Sequence, residues 1–190
     1  MNILICGVGG QGTVLASKIL AESAVIDGSN VARTGETIGM SQRGGSVVSH
    51  VRTEGCDSPY IPLGEADLLI AFEKCEAARS IPFLKKGGKA IVSMTEIKPV
   101  AVSLGVMDYN SEAMERCINE HSEAVFLNPA DNEFLQGKCA NTFLLGAAVG
   151  NGLINISENA VKEAMKRLIK PKFYDINIKA FEAGMKACQE

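Results

Sequence analysis

The chain opens with a short apolar strand that runs directly into a glycine-rich turn, Gly7-Val8-Gly9-Gly10-Gln11-Gly12, and then into a helical stretch without proline. Asn2 to Cys6 is apolar on both faces, as a strand buried in a parallel sheet is. Thr13 to Ile26 sets Val14, Leu15, Ile19, Leu20 and Val25 at helical spacing. Strand, tight turn and helix in this order make an anion cradle. Gly7 lets the chain reverse, Gly9 admits a ligand to the backbone, and Gly12 lets the helix pack close to the strand. The N–H groups of the first helical turn then attract negative charge. Gly7, Gly9, Gly10, Gln11 and Gly12 are therefore candidate cofactor-binding residues.

Asp27-Gly28-Ser29 reads as a turn and Asn30 to Thr34 as a second strand, which would complete a βαβ unit. A nicotinamide site of the common type ends that strand with an acid, about 20 residues past the glycines, to hold the ribose hydroxyl. Arg33-Thr34 stands there instead, and Glu36 follows only after Gly35. Arg33 suits a phosphorylated ribose, which disfavours NAD and leaves NADP or coenzyme A. Thr34 to Gly45 lacks clear periodicity and is long for a connection, a mark of functional loops. Its end, with the following serine, reads Ser41-Gln42-Arg43-Gly44-Gly45-Ser46 and supplies hydroxyl, amide and guanidinium donors beside permissive backbone. Arg43, Gly44, Gly45 and Ser46 join the candidate anion-binding set. Ser46 to Thr53 is rich in β-branched residues and reads as a strand. His50 lies on it without an adjacent Asp, Cys or Ser constellation, so it reads as a hydrogen-bonded structural residue.

Strands and helices continue to alternate. Asp67 to Phe72 reads as a buried strand, Glu73 to Lys86 as helix interrupted near Pro82, Gly87-Gly88 as a turn and Lys89 to Ser93 as a strand. Val100 to Leu104 and Ala124 to Leu127 read as two more strands, separated by a helix from Ser111 to His121 with Ser111 as its cap. The remainder is helical: Asn141 to Val149, apolar nearly all round; Glu158 to Ile169, capped by Ser157; and Ile176 to Cys188, whose stripe Ile178, Phe181, Met185 and Cys188 suits a core or a subunit interface. The fold class expected is α/β. It is a single Rossmann-like domain over residues 1–190, with a mostly parallel sheet flanked by helices and a helical C-terminal third.

Size and charge narrow the function. A chain of 190 residues, 46% of them hydrophobic, makes one compact domain with a sizeable core. The formal net charge is −3 and no block of lysine and arginine occurs, so no nucleic-acid partner is expected. No apolar run approaches the ~18 residues of a membrane span, so no membrane association is expected and the protein should be cytoplasmic. The six cysteines include no CxxC pair, and His50 and His121 stand far from other ligand-type residues, so no metal site is expected.

Three segments together resemble one family. They are Gly7 to Gly12, then Ser41 to Arg52 (Ser-Gln-Arg-Gly-Gly-Ser-Val-Val-Ser-His-Val-Arg), then Glu65 to Glu73 (Glu-Ala-Asp-Leu-Leu-Ile-Ala-Phe-Glu). The chain is similar to the γ subunit or γ domain of 2-oxoacid:ferredoxin oxidoreductases, and the Gln-Arg-Gly-Gly-Ser wording most resembles the small β subunit of the indolepyruvate enzymes. The resemblance spans nearly the whole chain. It implies a hetero-oligomer that decarboxylates an arylpyruvate oxidatively, reduces ferredoxin and releases an acyl-coenzyme A. It also implies that thiamine diphosphate and iron–sulfur clusters reside on a large catalytic subunit. This chain would complete the active-site wall and could hold coenzyme A, whose phosphates the Gly9 to Gly12 turn and Arg43 would grip. In isolation it could form a homodimer. A stand-alone NADP-binding Rossmann oxidoreductase and a structural partner subunit without ligand are the alternatives.

Overall fold

The computed structural model describes all residues except 39–43, 56, 133–134, 136–138 and 188–190. Its strands are β1 (Asn2–Val8), β2 (Ala32–Ile38), β3 (Ser46–Thr53), β4 (Ala66–Ala71), β5 (Leu84–Ser93) and β6 (Glu123–Leu127). Its helices are α1 (Thr13–Ile26), α2 (Lys74–Ser80), α3 (Val100–Ser103), α4 (Ser111–His121), α5 (Ala140–Gly150), α6 (Glu158–Leu168) and α7 (Pro171–Lys186). The strands form one six-stranded sheet in the order β2-β3-β1-β4-β5-β6. β1, β4, β5 and β6 pair in parallel, whereas β3 is antiparallel to both of its neighbours. The α/β class and the mostly parallel sheet are as expected from the sequence.

Alternation along the strands divides the core in two. On one face Ile3, Ile5, Leu68 and Ile70 pack with Ile19 and Leu20 of α1, Phe143 and Leu144 of α5, Val161 and Met165 of α6, and Phe181 of α7. On the other face Leu4, Cys6, Leu69, Ala71, Ala90 and Val92 pack with Ala77 of α2 and Ile118 of α4. α5 and α7 approach so closely that their backbones touch. A Cβ on Gly146 would overlap the Phe181 carbonyl, and one on Gly184 would overlap the Phe143 carbonyl.

Several local expectations are corrected. Strand β3 lies between β1 and β2, so the first strand, helix and second strand are not an adjacent βαβ unit. β2 begins at Ala32 and runs on to Ile38, so Arg33 and Thr34 open the strand rather than end it, and Glu36 lies within it. Val100 to Leu104 is not a strand. Pro99 caps the short helix α3 there. Gly87-Gly88 lies inside β5, where the pairing register slips between Ala66 opposite Leu84 and Leu68 opposite Lys89, so the glycines mark an irregularity rather than a turn. Asn110, not Ser111, caps α4, its Oδ1 accepting from Ala113 N at 2.9 Å. α7 starts at Pro171, where a proline at the first helical position loses no hydrogen bond; Cys188, expected in its stripe, lies outside the described residues. Among the described residues, no helix is long and apolar enough to cross a membrane.

Candidate functional site

The parallel strands β1, β4 and β5 end on one edge of the sheet, and the three sequence segments converge there. β1 ends in the glycine turn. Gly10 and Gly12 adopt positive φ, 106° and 86°, a conformation that side chains with Cβ resist. Among the described residues, nothing lies within 4 Å of where a Gly10 Cβ would sit, so the tip of the turn is open on their side. The side chain of Gln11 folds back inside the turn. Its Oε1 accepts from Val8 N at 2.7 Å and its Nε2 donates to Phe72 O at 2.8 Å. That amide leaves little room at Gly7, where a Cβ would come within 2.8 Å of Gln11 Oε1. Gln11 is thus a brace between the ends of β1 and β4, with both polar atoms engaged inside the chain.

Gly12 is the N-cap of α1, and no side chain caps that helix. α5 begins in the same way, with Cys139 at φ 63° and, among the described residues, no side-chain cap. Neither helix has an acidic residue in its first turn. The two N-termini meet: the buried Asn141 amide sits over Gly12, 3.5 Å from its carbonyl oxygen and 2.5 Å from where a Gly12 Cβ would be. Two uncapped helix starts beside a glycine turn give an electropositive rim suited to an oxyanion.

The second segment docks on the first. Gly9 N donates to Gly45 O at 2.8 Å, and Ser46 Oγ donates to Glu76 Oε2 at 2.5 Å. Gly44, at φ 78°, is exposed at the end of this segment. Arg43, with Ser41 and Gln42, lies outside the described residues. Arg33 is not at this edge. It pairs with Arg52, which pairs with Asn2 at the amino end of β1, about 17 Å from the turn end of the sheet at ~3.4 Å per residue. Arg33 therefore does not stand beside the turn, as contact with a ribose phosphate there would require, because it lies at the start of β2 and not at its end.

Just past β4, three consecutive residues hold the edge together. Phe72 receives Gln11. Glu73, fully buried, caps α2 by accepting from Glu76 N at 2.9 Å, and its other oxygen accepts from Tyr109 Oη at 2.7 Å and Ile97 N at 3.2 Å. Lys74, 2% exposed, donates to Glu115 at 2.5 Å, Ser111 at 2.7 Å and Glu96 at 3.2 Å. Burial alone would lower the Lys74 pKa, but Glu115 and Glu96 outweigh it and raise it, so the ammonium stays charged. Burial, and then the Glu73 carboxylate, raise the Tyr109 pKa. Sequence reasoning missed Glu73, Lys74, Glu76 and the start of α5. The signal for Glu73, Lys74 and Glu76 was a run of charge at the mouth of a buried strand, whose partners lie far along the chain.

The remaining groups carry no chemistry at this edge. Burial pushes the Cys6 thiol up to about 12, with Glu76 and Glu73 adding to the shift against a Ser80 hydrogen bond, and burial also raises Cys75. Burial thus disfavours the reactive thiolate form at both. Among the described residues, no three His, Cys, Asp or Glu side chains gather as a metal site needs. His50 is 3% exposed; its Nδ1 accepts from Ile61 N at 3.2 Å, and its ring meets Tyr60 and Phe83 edge to face.

Known proteins are similar to this chain over nearly its whole length. The family model described as pyruvate ferredoxin/flavodoxin oxidoreductase matches residues 2–187. The indolepyruvate oxidoreductase subunit IorB of Pyrococcus horikoshii is 39% identical over 196 aligned positions, covering 100% of this chain and 96% of the relative. The solved γ subunit of a keto/oxoacid ferredoxin oxidoreductase from Geobacter sulfurreducens superimposes with a TM-score of 0.70 at 26% identity, covering 99% of this chain and 98% of that one. The 2-oxoglutarate:ferredoxin oxidoreductase of Magnetococcus marinus, solved with 2-oxoglutarate, coenzyme A and succinyl-CoA, shares the fold with a TM-score of 0.75 at 20% identity. There the match covers 100% of this chain but 31% of the longer one. The chain belongs to the pyruvate ferredoxin/flavodoxin oxidoreductase family.

Proposed function

We propose that this chain is the small subunit of an indolepyruvate-type 2-oxoacid ferredoxin oxidoreductase, acting in the cytoplasm as one γ-type domain over residues 1–190, and that its glycine-turn edge holds the phosphates of coenzyme A. The observation that carries the ligand assignment is the meeting of two uncapped helix N-termini at Gly12 and Asn141, beside the open tip at Gly10. In the overall reaction an arylpyruvate loses CO2, its acyl carbon bonds to the sulfur of coenzyme A, and two electrons pass to ferredoxin with release of one proton. Thiamine diphosphate and iron–sulfur clusters belong to the large catalytic subunit in this reading.

Coenzyme A supplies the thiol that takes the acyl group. The first turns of α1 and α5 would hold its anionic end, with Arg43 and Gly44 to Ser46 closing over it. Gln11 keeps the turn in shape, and the Gly9–Gly45 hydrogen bond keeps the second segment against it. Arg33, at the opposite edge, supports neither NADP nor coenzyme A at the turn.

Thermal shift of the reconstituted two-subunit enzyme with coenzyme A, dephospho-coenzyme A, NADP and NAD tests the reading. Stabilisation by coenzyme A, weakened in Gly10→Val or Arg43→Ala, is expected. Stabilisation by NADP alone would overturn it, and no shift with any ligand would leave the chain as a structural partner.

A further inference from the structure

Gly44 and Gly45 carry no side chain, so among the described residues of the second segment Ser46 is the first that can anchor it. Its hydroxyl does so across the sheet edge, donating to Oε2 of Glu76 in the first turn of α2 at 2.5 Å. From Ser46 the tie reaches the glycine turn by two backbone routes. Ser46 stands opposite Val8 at the end of the β1–β3 pairing, and its neighbour Gly45 receives the Gly9 N–H at 2.8 Å. Glu76, Ser46, Gly45 and Gly9 are thus one continuous run of contacts from α2 to the turn.

Glu76 is buried, and its other oxygen meets Arg79 at 3.3 Å, a guanidinium whose side chain is 54% exposed. An ion pair so open to solvent offsets little of what desolvating a carboxylate costs. α2 does not need the group as a cap, since Glu73 already accepts from Glu76 N. An acid that only favoured the helix dipole would serve as well on the exposed face of the first turn. The contact that requires a carboxylate in this position is the Ser46 hydroxyl, and an ionised acceptor makes that bond about twice as strong as a neutral one. A hydroxyl has one hydrogen to give. Ser46 gives it to Glu76, so its part at this edge is to fix the backbone of Gly44 and Gly45 rather than to donate to an anion.

We propose that Glu76 is a positioning residue for coenzyme A: it touches no ligand, but through Ser46 it holds the backbone of residues 44–46 against the glycine turn in the geometry that receives the phosphates. The proposal rests on the coenzyme reading above. Gln11 braces the turn from inside, between β1 and β4, and Glu76 braces it from outside, between β3 and α2. Backbone ordered in advance spares the ligand the entropy of ordering it. The effect of Glu76 therefore falls on the affinity for coenzyme A and not on the chemistry at the large subunit.

The test is steady-state kinetics of the reconstituted two-subunit enzyme carrying Glu76→Ala, Ser46→Ala, both together, or Glu76→Gln, with Gly10→Val as the reference. Each alanine variant should raise the KM for coenzyme A about tenfold, the scale of one charge-assisted hydrogen bond, with kcat and the KM for indolepyruvate unchanged. The double variant should be no worse than either single one, since all three break the same link. Glu76→Gln, whose amide oxygen still accepts from Ser46, should restore most of the lost affinity. A Ser46 hydroxyl that bound the ligand directly would instead multiply with the loss of Glu76, so multiplied effects in the double variant overturn the proposal. A merely structural Glu76 would lower the melting temperature with the KM for coenzyme A as wild type, or impair kcat and both KM values together, and either result overturns it too. If Glu76→Ala does not fold, Ser46→Ala decides, and an unchanged KM for coenzyme A there is contradictory. An unchanged KM in Gly10→Val overturns the coenzyme reading and the proposal with it. A raised KM in Gly10→Val beside unchanged alanine variants overturns the role of Glu76 alone.

Discussion

The side-chain amide of Gln11 donates to the carbonyl of Phe72 across the ends of β1 and β4, 61 positions apart in sequence. Since the same amide also accepts from Val8 N, it fixes the glycine turn on both sides. Gln11→Ala would leave a part-buried donor and acceptor unmatched, and a loss of about 1–3 kcal/mol in urea unfolding is expected. Gln11→Glu keeps the acceptor for Val8 but sets a carboxylate against Phe72 O, so it should be destabilised too. Stability equal to wild type in both variants would mean that the brace contributes nothing.

Gly10 and Gly12 should respond differently to alanine. Both substitutions carry the strain of positive φ, about 1 kcal/mol each, but among the described residues only Gly12 also meets a neighbour, Asn141 Nδ2 at 2.5 Å. Gly12→Ala should therefore be the more destabilising, and Asn141→Ala should recover part of the difference. A double-mutant cycle measures this, and strict additivity would contradict the contact.

The α5–α7 crossing admits no methyl group. Gly184→Ala places a Cβ on the Phe143 carbonyl, with backbone rather than a flexible side chain in the way, and should cost about 3 kcal/mol or more, as overpacked cores do. Gly28→Ala, at φ 96° with no described atom within 4 Å of the added Cβ, should cost only the backbone strain. Chemical denaturation of both variants decides, and equal losses would contradict the close approach.

How much of this was legible in the sequence follows from which interactions are local. The β1–turn–α1 unit and the buried character of α5 were readable because period and glycine spacing act within a few residues. The insertion of β3 between β1 and β2 was not, since an alternating strand does not encode its neighbour, and the misplacing of Arg33 followed from that. Val100 to Leu104 reads as a strand because β-branched and apolar residues usually mean burial, yet in α3 they face outward. Asn141 over Gly12 joins positions 129 apart, and no local pattern signals such a contact.

His50 predicts a pH dependence. Burial lowers its pKa below the usual 6.5, and the Ile61 N–H occupies its Nδ1, so the folded state holds it neutral. Below about pH 6.5 the unfolded chain binds a proton that the native chain refuses. The His50 contribution is therefore fully present above that pH and is lost as pH falls toward the lower folded value, with a slope of up to about 1.4 kcal/mol per pH unit. Urea midpoints should drop as the pH is lowered from 7 to 5 for wild type and stay flatter for His50→Phe. An identical slope in the variant would assign the dependence elsewhere.

The most direct measurement of the central claim is steady-state kinetics of the reconstituted enzyme with Gly10→Val in this subunit. The isopropyl group so introduced would project from the open tip of the turn into the space assigned to the anionic end of coenzyme A. The expected result is a KM for coenzyme A raised at least tenfold, with the KM for indolepyruvate and the affinity for the large subunit unchanged. An unchanged KM for coenzyme A in a fully assembled enzyme would contradict the assignment of the glycine-turn edge.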